Sequence, residues 1–391
     1  MSRIKAIFKK ASWPQIVSQL MVMVLLAFGG SMLMGAAGLG LSHLIWGEAA
    51  TSGQSPDAMR AVSVHSTKLI QAFTVIGSFL FPAIAFPMVY RVPPKAYLGI
   101  EKGGKPLVFF WVLLLLVCLN PVMDLVIDWN RNVELPDYLA GIESWMRNSE
   151  ERLEKLTMRL LEMEHFGDFL VNVLVIAVVA AVAEEFFFRG LLQKSIYLWS
   201  LNAHLAIWVA AIIFSAIHMQ FFGFFPRMIL GALFGYLFYW SGSLWIAVYA
   251  HFLNNFAGVS LAYLHQKGIT EMNINESVNY PNGVTIVALL FSIGLVYLIK
   301  KITESKDKDA EEGSQNDLDA PKRDWEVVFK TQDVHLAEIL VGHLKSEGLD
   351  AVLMNKKDSA YQTFGDAYIY VPKSEKERAE ETLDKIQNEN E

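Results

Sequence analysis

Three groups of polar side chains interrupt apolar stretches of the sequence, and their types suit acid–base chemistry. The first group is Glu184, Glu185 and Arg189, at the end of the apolar run 169–183. A charged side chain near the centre of a membrane-spanning helix costs about 2.5–3.5 kcal/mol on insertion scales, so two carboxylates there indicate a function. Glu185 and Arg189 are four residues apart on one helix face, and we expect them to form a supporting structural pair. Glu184 points about 100° away from that face and has no partner on its own helix.

The other two groups lie on later apolar stretches. Phe214 precedes His218 by four residues, and His251 precedes Asn255 by four residues. Each pair therefore shares one face of a helix. In lipid such polar faces turn inward and find partners, so the three groups are expected to meet at one cavity. We expect Phe214 to have a supporting role there.

Hydrolysis of an amide is the chemistry that suits this set. A carboxylate can accept a proton from water while the water attacks a carbonyl, which fits Glu184 because its neighbour is expected to pair with the arginine. An imidazole can hold that water, which fits His218. A second imidazole and an amide can donate hydrogen bonds to the developing oxyanion, which fits His251 and Asn255.

The same residues bear on the question of a metal. The sequence contains no HExxH pattern, so the arrangement of the soluble zinc proteases is absent. Glu184, His218 and His251 nevertheless have the ligand types of a catalytic zinc site that leaves one position open for water. We expect metal-free carboxylate catalysis without a cofactor, and zinc held by these three residues is the alternative.

Together the three groups resemble the motifs of a known family. They read EEFFFR from Glu184 to Arg189, FSAIH from Phe214 to His218, and HFLNN from His251 to Asn255. These match EExxxR, FxxxH and HxxxN, and residues 169–264 are thus similar to the intramembrane proteases that include CAAX-prenyl endopeptidases and bacteriocin-processing or immunity proteins (the CPBP or Abi family). The resemblance implies a glutamate or metalloprotease with a cavity open toward the cytoplasm, in which Glu184 and His218 activate water.

The composition indicates a membrane protein. Of 391 residues, 53% are hydrophobic and 12% aromatic, which is typical of several membrane spans. The net charge is −7, with acidic residues concentrated in 130–164 and after 304, so no basic surface for nucleic acid is predicted. The single cysteine, Cys118, excludes an intramolecular disulfide.

The apolar stretches predict eight transmembrane helices. Their ranges are 14–46, 69–90, 107–126, 169–189, 203–222, 228–243, 244–264 and 284–299. Pro82 and Pro87 predict a kink in the second helix. The acidic segment 130–165 has apolar residues at helical spacing, which indicates an amphipathic helix at the membrane surface or a solvated helix packed on the membrane domain.

The basic residues predict the orientation of the chain. The first apolar stretch is longer than the core of a signal peptide and lacks an A-x-A cleavage site, so we interpret it as a transmembrane helix. Four clusters of basic residues lie near span ends, and their members are Arg3, Lys5, Lys9, Lys10, Arg91, Lys95, Lys102, Lys105, Arg189, Lys194, Lys300 and Lys301. With eight spans these four clusters fall on one side, which predicts a multi-pass protein of a bacterial cell membrane with both termini in the cytoplasm.

A soluble unit is predicted after the last span. We divide the chain into a transmembrane protease domain at 1–302, a flexible linker at 303–322 and an α+β domain at 323–391. The pattern of the last region is βαββα, which indicates a ferredoxin-like sandwich. It also resembles a small bacterial domain with a signal-transducing role. A regulatory domain that binds a protein or a small molecule is the expectation, and a passive tail is the alternative.

Three functions follow from these features. The leading hypothesis is an intramembrane endopeptidase that hydrolyses a peptide bond in a membrane-associated protein or peptide, with membrane lipid as its surroundings. A transporter or channel with an intramembrane Glu/His proton relay is the alternative. Transporters often contain inverted repeats, and no repeat is evident in this sequence. A membrane-anchored scaffold would need fewer spans than the chain has.

Overall fold

The computed structural model describes residues 13–47, 64–100, 103–272, 278, 280–314, 325–331, 334–357 and 365–388. Within these ranges, seven helices are long and apolar enough to cross a membrane, and another apolar helix is shorter. The longer helices up to residue 314 are α1 (Trp13–Trp46), α2 (Val64–Val89), α3 (Pro106–Arg131), α4 (Ala140–Leu160), α5 (Phe166–Ser200), α6 (Ala203–Ala216), α7 (Phe224–Ser241), α8 (Leu244–Gln266) and α9 (Asn282–Ser314). A mostly helical, multi-pass architecture is therefore confirmed, whereas the count of eight spans stays a prediction.

Helix α6 is shorter than the predicted fifth span. It ends at Ala216 instead of residue 222. Fourteen residues of α-helix measure about 21 Å, less than the roughly 30 Å of a hydrocarbon core. The chain then turns through Met219, which has a φ of 54°, and the Ser215 hydroxyl donates to the Phe224 carbonyl across the turn at 2.7 Å. The irregular backbone borders a protein cavity, which is where membrane proteins tolerate such segments.

Helix α5 is longer than the predicted fourth span, which corrects part of the topology argument. The helix continues beyond Arg189 to Ser200. Arg189 and Lys194 are only 1% and 5% exposed, so they lie inside the helix bundle and not in a basic loop. Lys194 donates to the Tyr97 carbonyl, and its ammonium group lies 4.9 Å from the centre of the Tyr97 ring. Residues 1–12, with the first basic cluster, fall outside the described ranges, and the orientation of the termini stays a prediction.

The acidic segment folds as α4, which packs on the membrane helices. The Trp145 ring lies 5.2 Å from the Phe221 ring, and the Phe222 amide donates to Glu150 Oε2 at 3.3 Å. Leu160, in the last turn of the helix, is only 6% exposed. These contacts favour the second alternative, a helix packed on the membrane domain.

The second span changes its helical geometry near the predicted kink. A π-helical turn at Ile76–Leu80 precedes Pro82. At this turn α2 approaches α1 so closely that a Cβ on Gly77 would lie 2.2 Å from the Gly30 carbonyl oxygen. Only glycine permits this approach, which holds α1 against the helix that borders the cavity described below.

The C-terminal region forms a small α+β unit. Its strands are β1 (Trp325–Thr331), β2 (Val352–Lys357) and β3 (Gly365–Pro372), and its helices are α10 (Val334–Ser346) and α11 (Lys376–Asn388). The sheet order is β1-β3-β2, and both pairs are antiparallel. A three-stranded sheet is thus shown, whereas the ferredoxin-like assignment and the domain boundaries stay predictions. Helix α9 continues to Ser314 through the first part of the predicted linker, whose remaining residues lie outside the described ranges.

Candidate active site

Helix α5 places the two glutamates side by side in different environments. They end an α-helical segment, Ala180–Glu185, that is flanked by the π-helical segments Val173–Val179 and Phe186–Gln193. Such π-helical segments are rare and often occur at functional sites. Consecutive residues on a helix point about 100° apart, so one carboxylate faces the bundle interior and the other faces a cavity.

Glu185 is the carboxylate that faces the bundle interior. Its side chain is 0% exposed, and its Oε1 lies 2.9 Å from Arg189 Nη1 and 2.8 Å from His251 Nδ1. Arg189 also donates from Nη2 to the Gly231 carbonyl at 2.7 Å, and its guanidinium lies 4.9 Å from the centre of the Phe214 ring. This network joins α5 to α6, α7 and α8, which is the arrangement expected of the structural pair.

Glu184 is the carboxylate that faces the cavity. The cavity has a volume of about 400 Å³ and is also lined by His218, His251, Asn255 and Phe214. The Glu184 side chain is 12% exposed, and its Oε2 lies 3.8 Å from His251 Nε2. The structure therefore brings the predicted residues of all three motifs to one cavity, with one carboxylate that forms no close ion pair.

His218 lies just beyond the end of α6, in the irregular segment. Its Nδ1 is 2.7 Å from the Phe214 carbonyl oxygen. A carbonyl can only accept, so Nδ1 bears the hydrogen and the Nε2 of the neutral ring keeps a lone pair. The Phe214 ring also packs edge-on against His218 and His251, with centroid distances of 5.0 and 5.9 Å. Phe214 thus holds both imidazoles through its carbonyl group and its ring.

His251 and Asn255 lie one turn apart on α8. The His251 ring stacks on Phe234 at 5.5 Å and directs Nδ1 toward Glu185, which leaves Nε2 on the side of Glu184. Asn255 lines the cavity, but its Nδ2 donates to the Ile176 carbonyl at 3.0 Å. One of its two amide hydrogens is therefore engaged, and an oxyanion interaction would use the second.

The cavity also contains polar residues that the motifs do not include. They are Gln71, Thr157, Arg227 and Asn254. Arg227 is the most notable because it adds a positive charge to the cavity that Glu184 lines. Arg227 lies one residue before the predicted sixth span, and the motifs assign it no role. The signal that could have identified it is an arginine inside the apolar aromatic segment 221–238.

The described residues contain no group of three or more His, Cys, Asp and Glu side chains with a geometry that could hold a metal ion. The alternative zinc ligands Glu184, His218 and His251 line the same cavity. Both histidines engage Nδ1 with protein acceptors, which leaves their Nε2 atoms for a metal, a water molecule or a substrate. The choice between metal-free and zinc-dependent catalysis stays a prediction.

Comparison with known proteins agrees with this geometry. A curated protein of Bacillus subtilis (strain 168), described as uncharacterized protein YpbD, is 29% identical over 86 residues, which are 21% of this chain and 41% of the relative. The chain thus spans less than half the length of that relative. No solved structure matches the chain. Residues 166–257, which contain all three motifs, match the family model of type II CAAX prenyl endopeptidases (Rce1-like), and this match supports a CAAX protease of the CPBP family.

Proposed function

We propose that the chain is an intramembrane endopeptidase that hydrolyses a peptide bond in a membrane-associated protein or peptide. The observation that carries the proposal is the position of Glu184. Its carboxylate lines the cavity and lies 3.8 Å from His251 Nε2, while Glu185 forms the ion pair with Arg189. A carboxylate without a close ion pair is available to accept a proton, as a general base must be.

The reaction needs only water and the residues of the cavity. Glu184 accepts a proton from a water molecule held by His218 Nε2, and the resulting hydroxide adds to the carbonyl carbon of the substrate. The C–N bond of the tetrahedral intermediate then breaks, and protonated Glu184 gives its proton to the leaving amine. The products are a carboxylic acid and an amine, and Glu184 is again a carboxylate.

The oxyanion is stabilised from the α8 side. Asn255 offers the second hydrogen of its amide group, and His251 offers Nε2. Because His251 Nδ1 donates to Glu185, its Nε2 donates only when the ring carries a proton on both nitrogens. Removing one donor of an oxyanion site typically lowers kcat by about 10²–10³-fold. We expect a decrease in kcat of this size for Asn255→Ala.

The remaining assignments belong to the same proposal. Both termini lie in the cytoplasm, the cavity opens to that side, and membrane lipid surrounds the spans. The α+β unit at 323–391 binds a regulatory protein or small molecule. The catalysis is metal-free, with zinc on Glu184, His218 and His251 as the alternative.

Cleavage by the purified chain in lipid nanodiscs tests the proposal. We expect mass spectrometry to detect new termini in membrane-anchored peptides, and we expect no cleavage by the variants Glu184→Ala, His218→Ala and His251→Ala. Thermal unfolding of each variant is the control for folding. Wild-type turnover in all three variants would exclude the mechanism. If peptides stay intact but the chain carries protons across liposomes, the transporter hypothesis replaces it.

A further inference from the structure

Arg227 is a cavity residue that the catalytic steps do not use. It lies in the first turn of α7 and lines the same cavity as Glu184, His218 and His251. The guanidinium group interacts electrostatically with Glu184 and with Glu150 of α4. Neither carboxylate is within 4 Å of it in the part of the chain that the structure describes.

The hydrogen bonds of Arg227 leave one nitrogen of its guanidinium group without a partner among the described residues. Nη2 donates to Gln220 Oε1 at 2.6 Å, whereas Nη1 is buried and has no hydrogen-bond partner among the described residues. The equally buried Nη1 of Arg189 lies 2.9 Å from the Glu185 carboxylate. A buried donor without a partner is unfavourable, and more so when it is charged, so the position of Arg227 suits an anion that arrives later.

The surroundings hold the guanidinium in place. It packs on Gly223, where an added Cβ would lie 3.3 Å from Nη2, and Gln220 fixes the same nitrogen. Glu150 accepts a hydrogen bond from the Phe222 amide at 3.3 Å, and burial raises the pKa of its carboxyl group. Glu150 is therefore engaged elsewhere and is a weakened competitor for Arg227.

A carboxylate is the anion that fits such a group. A guanidinium presents parallel N–H donors in a planar fork that matches the two oxygens of a carboxylate. A peptide substrate has carboxylates at its C-terminus and on acidic side chains. Because Arg227 and Glu184 line one cavity, a carboxylate held at Arg227 would place a nearby peptide bond within reach of the base.

We propose that Arg227 binds a carboxylate of the peptide substrate and thereby selects which peptide bond is presented to Glu184. The inference rests on the proposed endopeptidase function. Arg227 is a specificity-determining residue in this scheme, and it takes no part in the proton transfers.

Binding of matched peptides to the full chain tests the assignment. The probes are two dansyl-labelled heptapeptides of alanine and valine, one with a palmitoyl anchor and one with a farnesyl anchor. Each of the two peptides is prepared as the free acid, as the C-terminal amide, and as the amide with one aspartate near the C-terminus. Binding is measured in nanodiscs with the Glu184→Gln chain, which keeps the peptides intact.

The expected result is a loss of affinity that occurs only for peptides with a carboxylate. Arg227→Gln raises the Kd of the free acid or of the aspartate peptide at least tenfold and changes the Kd of the amide less than twofold. Arg227→Lys, which keeps the positive charge, restores part of the affinity for the acidic peptide. Which of the two acidic peptides responds identifies the source of the carboxylate. The control is Arg147→Gln, since Arg147 lies 4.6 Å from the Phe222 ring but lines a neighbouring pocket and not the catalytic cavity.

Other outcomes would overturn the assignment. If Arg227→Gln lowers the affinity for acid and amide peptides equally, Arg227 supports the cavity as a whole and does not recognise a carboxylate. If the parent Glu184→Gln chain binds the acid and amide peptides with equal affinity, Arg227 binds no carboxylate. Cleavage by the chain with Glu184 intact is measured separately. A chain that prefers the acids but cleaves none of them would refute the endopeptidase function and leave the carboxylate site in place.

Discussion

Exchanging each adjacent glutamate for glutamine should separate catalysis from stability. Glutamine has nearly the shape of glutamate but no charge. Glu185→Gln removes the carboxylate that lies 2.9 Å from Arg189 Nη1 and 2.8 Å from His251 Nδ1. Breaking a buried ion pair by removing one partner destabilises a protein by about 3–5 kcal/mol, because the remaining charge stays buried without compensation. We expect a loss of this size, since Arg189 is only 1% exposed.

Glu184→Gln should have the opposite profile. The nearest nitrogen of a basic side chain to the Glu184 carboxylate is His251 Nε2 at 3.8 Å, and the carboxylate borders the cavity. Its replacement breaks no ion pair shorter than 3.8 Å, so the free energy of unfolding should change by less than about 1 kcal/mol. Cleavage should fall by about 10²–10⁴-fold, the usual contribution of a general base.

The assay combines two measurements on the full chain in nanodiscs. Denaturant titration followed by circular dichroism gives the stability, and peptide cleavage gives kcat. The control is Glu185→Gln combined with Arg189→Met, which should recover most of the lost stability because both buried charges are gone. The reasoning is refuted if Glu184→Gln is the more destabilising change, or if the double variant is as unstable as the sum of the single ones.

Three further predictions concern the metal, the turn between α6 and α7, and the soluble unit. Activity should survive exhaustive chelation, whereas a loss that added zinc restores would assign Glu184, His218 and His251 as ligands. Asn130→Ala should lower the stability by about 1–3 kcal/mol in denaturant titration, because Asn130 is 3% exposed and bonds the Phe221 carbonyl before α7 and the Phe225 amide in its first turn; the exposed Asn132→Ala is the control. Removing 315–391 should leave the cleavage of short peptides unchanged and alter that of a membrane-anchored protein, and equal rates on both substrates would argue for a passive tail.

The sequence could predict that the three motifs line one cavity, because polar side chains in a membrane-spanning helix are unfavourable when they face lipid. The spacing of Glu185 and Arg189 placed both on one helix face, and the structure pairs them at 2.9 Å. The inward orientation of His218 and His251 followed from the cost of exposing them to hydrocarbon. Both arguments use only local spacing and the solvent, so they needed no knowledge of tertiary contacts.

The end of α6 and the length of α5 could not be predicted, because they depend on tertiary partners. Residues 217–225 are as apolar as a helix, and hydropathy cannot distinguish a helix from a turn closed by the Ser215 hydroxyl. Lys194 marks a span end by its charge, but it is buried because it finds the Tyr97 carbonyl and ring. Arg227 could not be assigned to the cavity for the same reason, since its position depends on the turn between α6 and α7 and it belongs to none of the three motifs.

The second glutamate explains how the first can be held in position without a close ion pair. Glu185 fastens α5 to α8 through His251, and Arg189 continues the connection to α7 through the Gly231 carbonyl. Glu184 is adjacent in the chain, so the same contacts fix its backbone while its carboxylate stays open to the cavity. A general base bonded directly to Arg189 would be held as firmly but would be occupied by the guanidinium. Two consecutive glutamates therefore divide anchoring and proton transfer, and a folded Glu185 variant should lose activity through misplacement of Glu184 even where its own charge takes no part in the reaction.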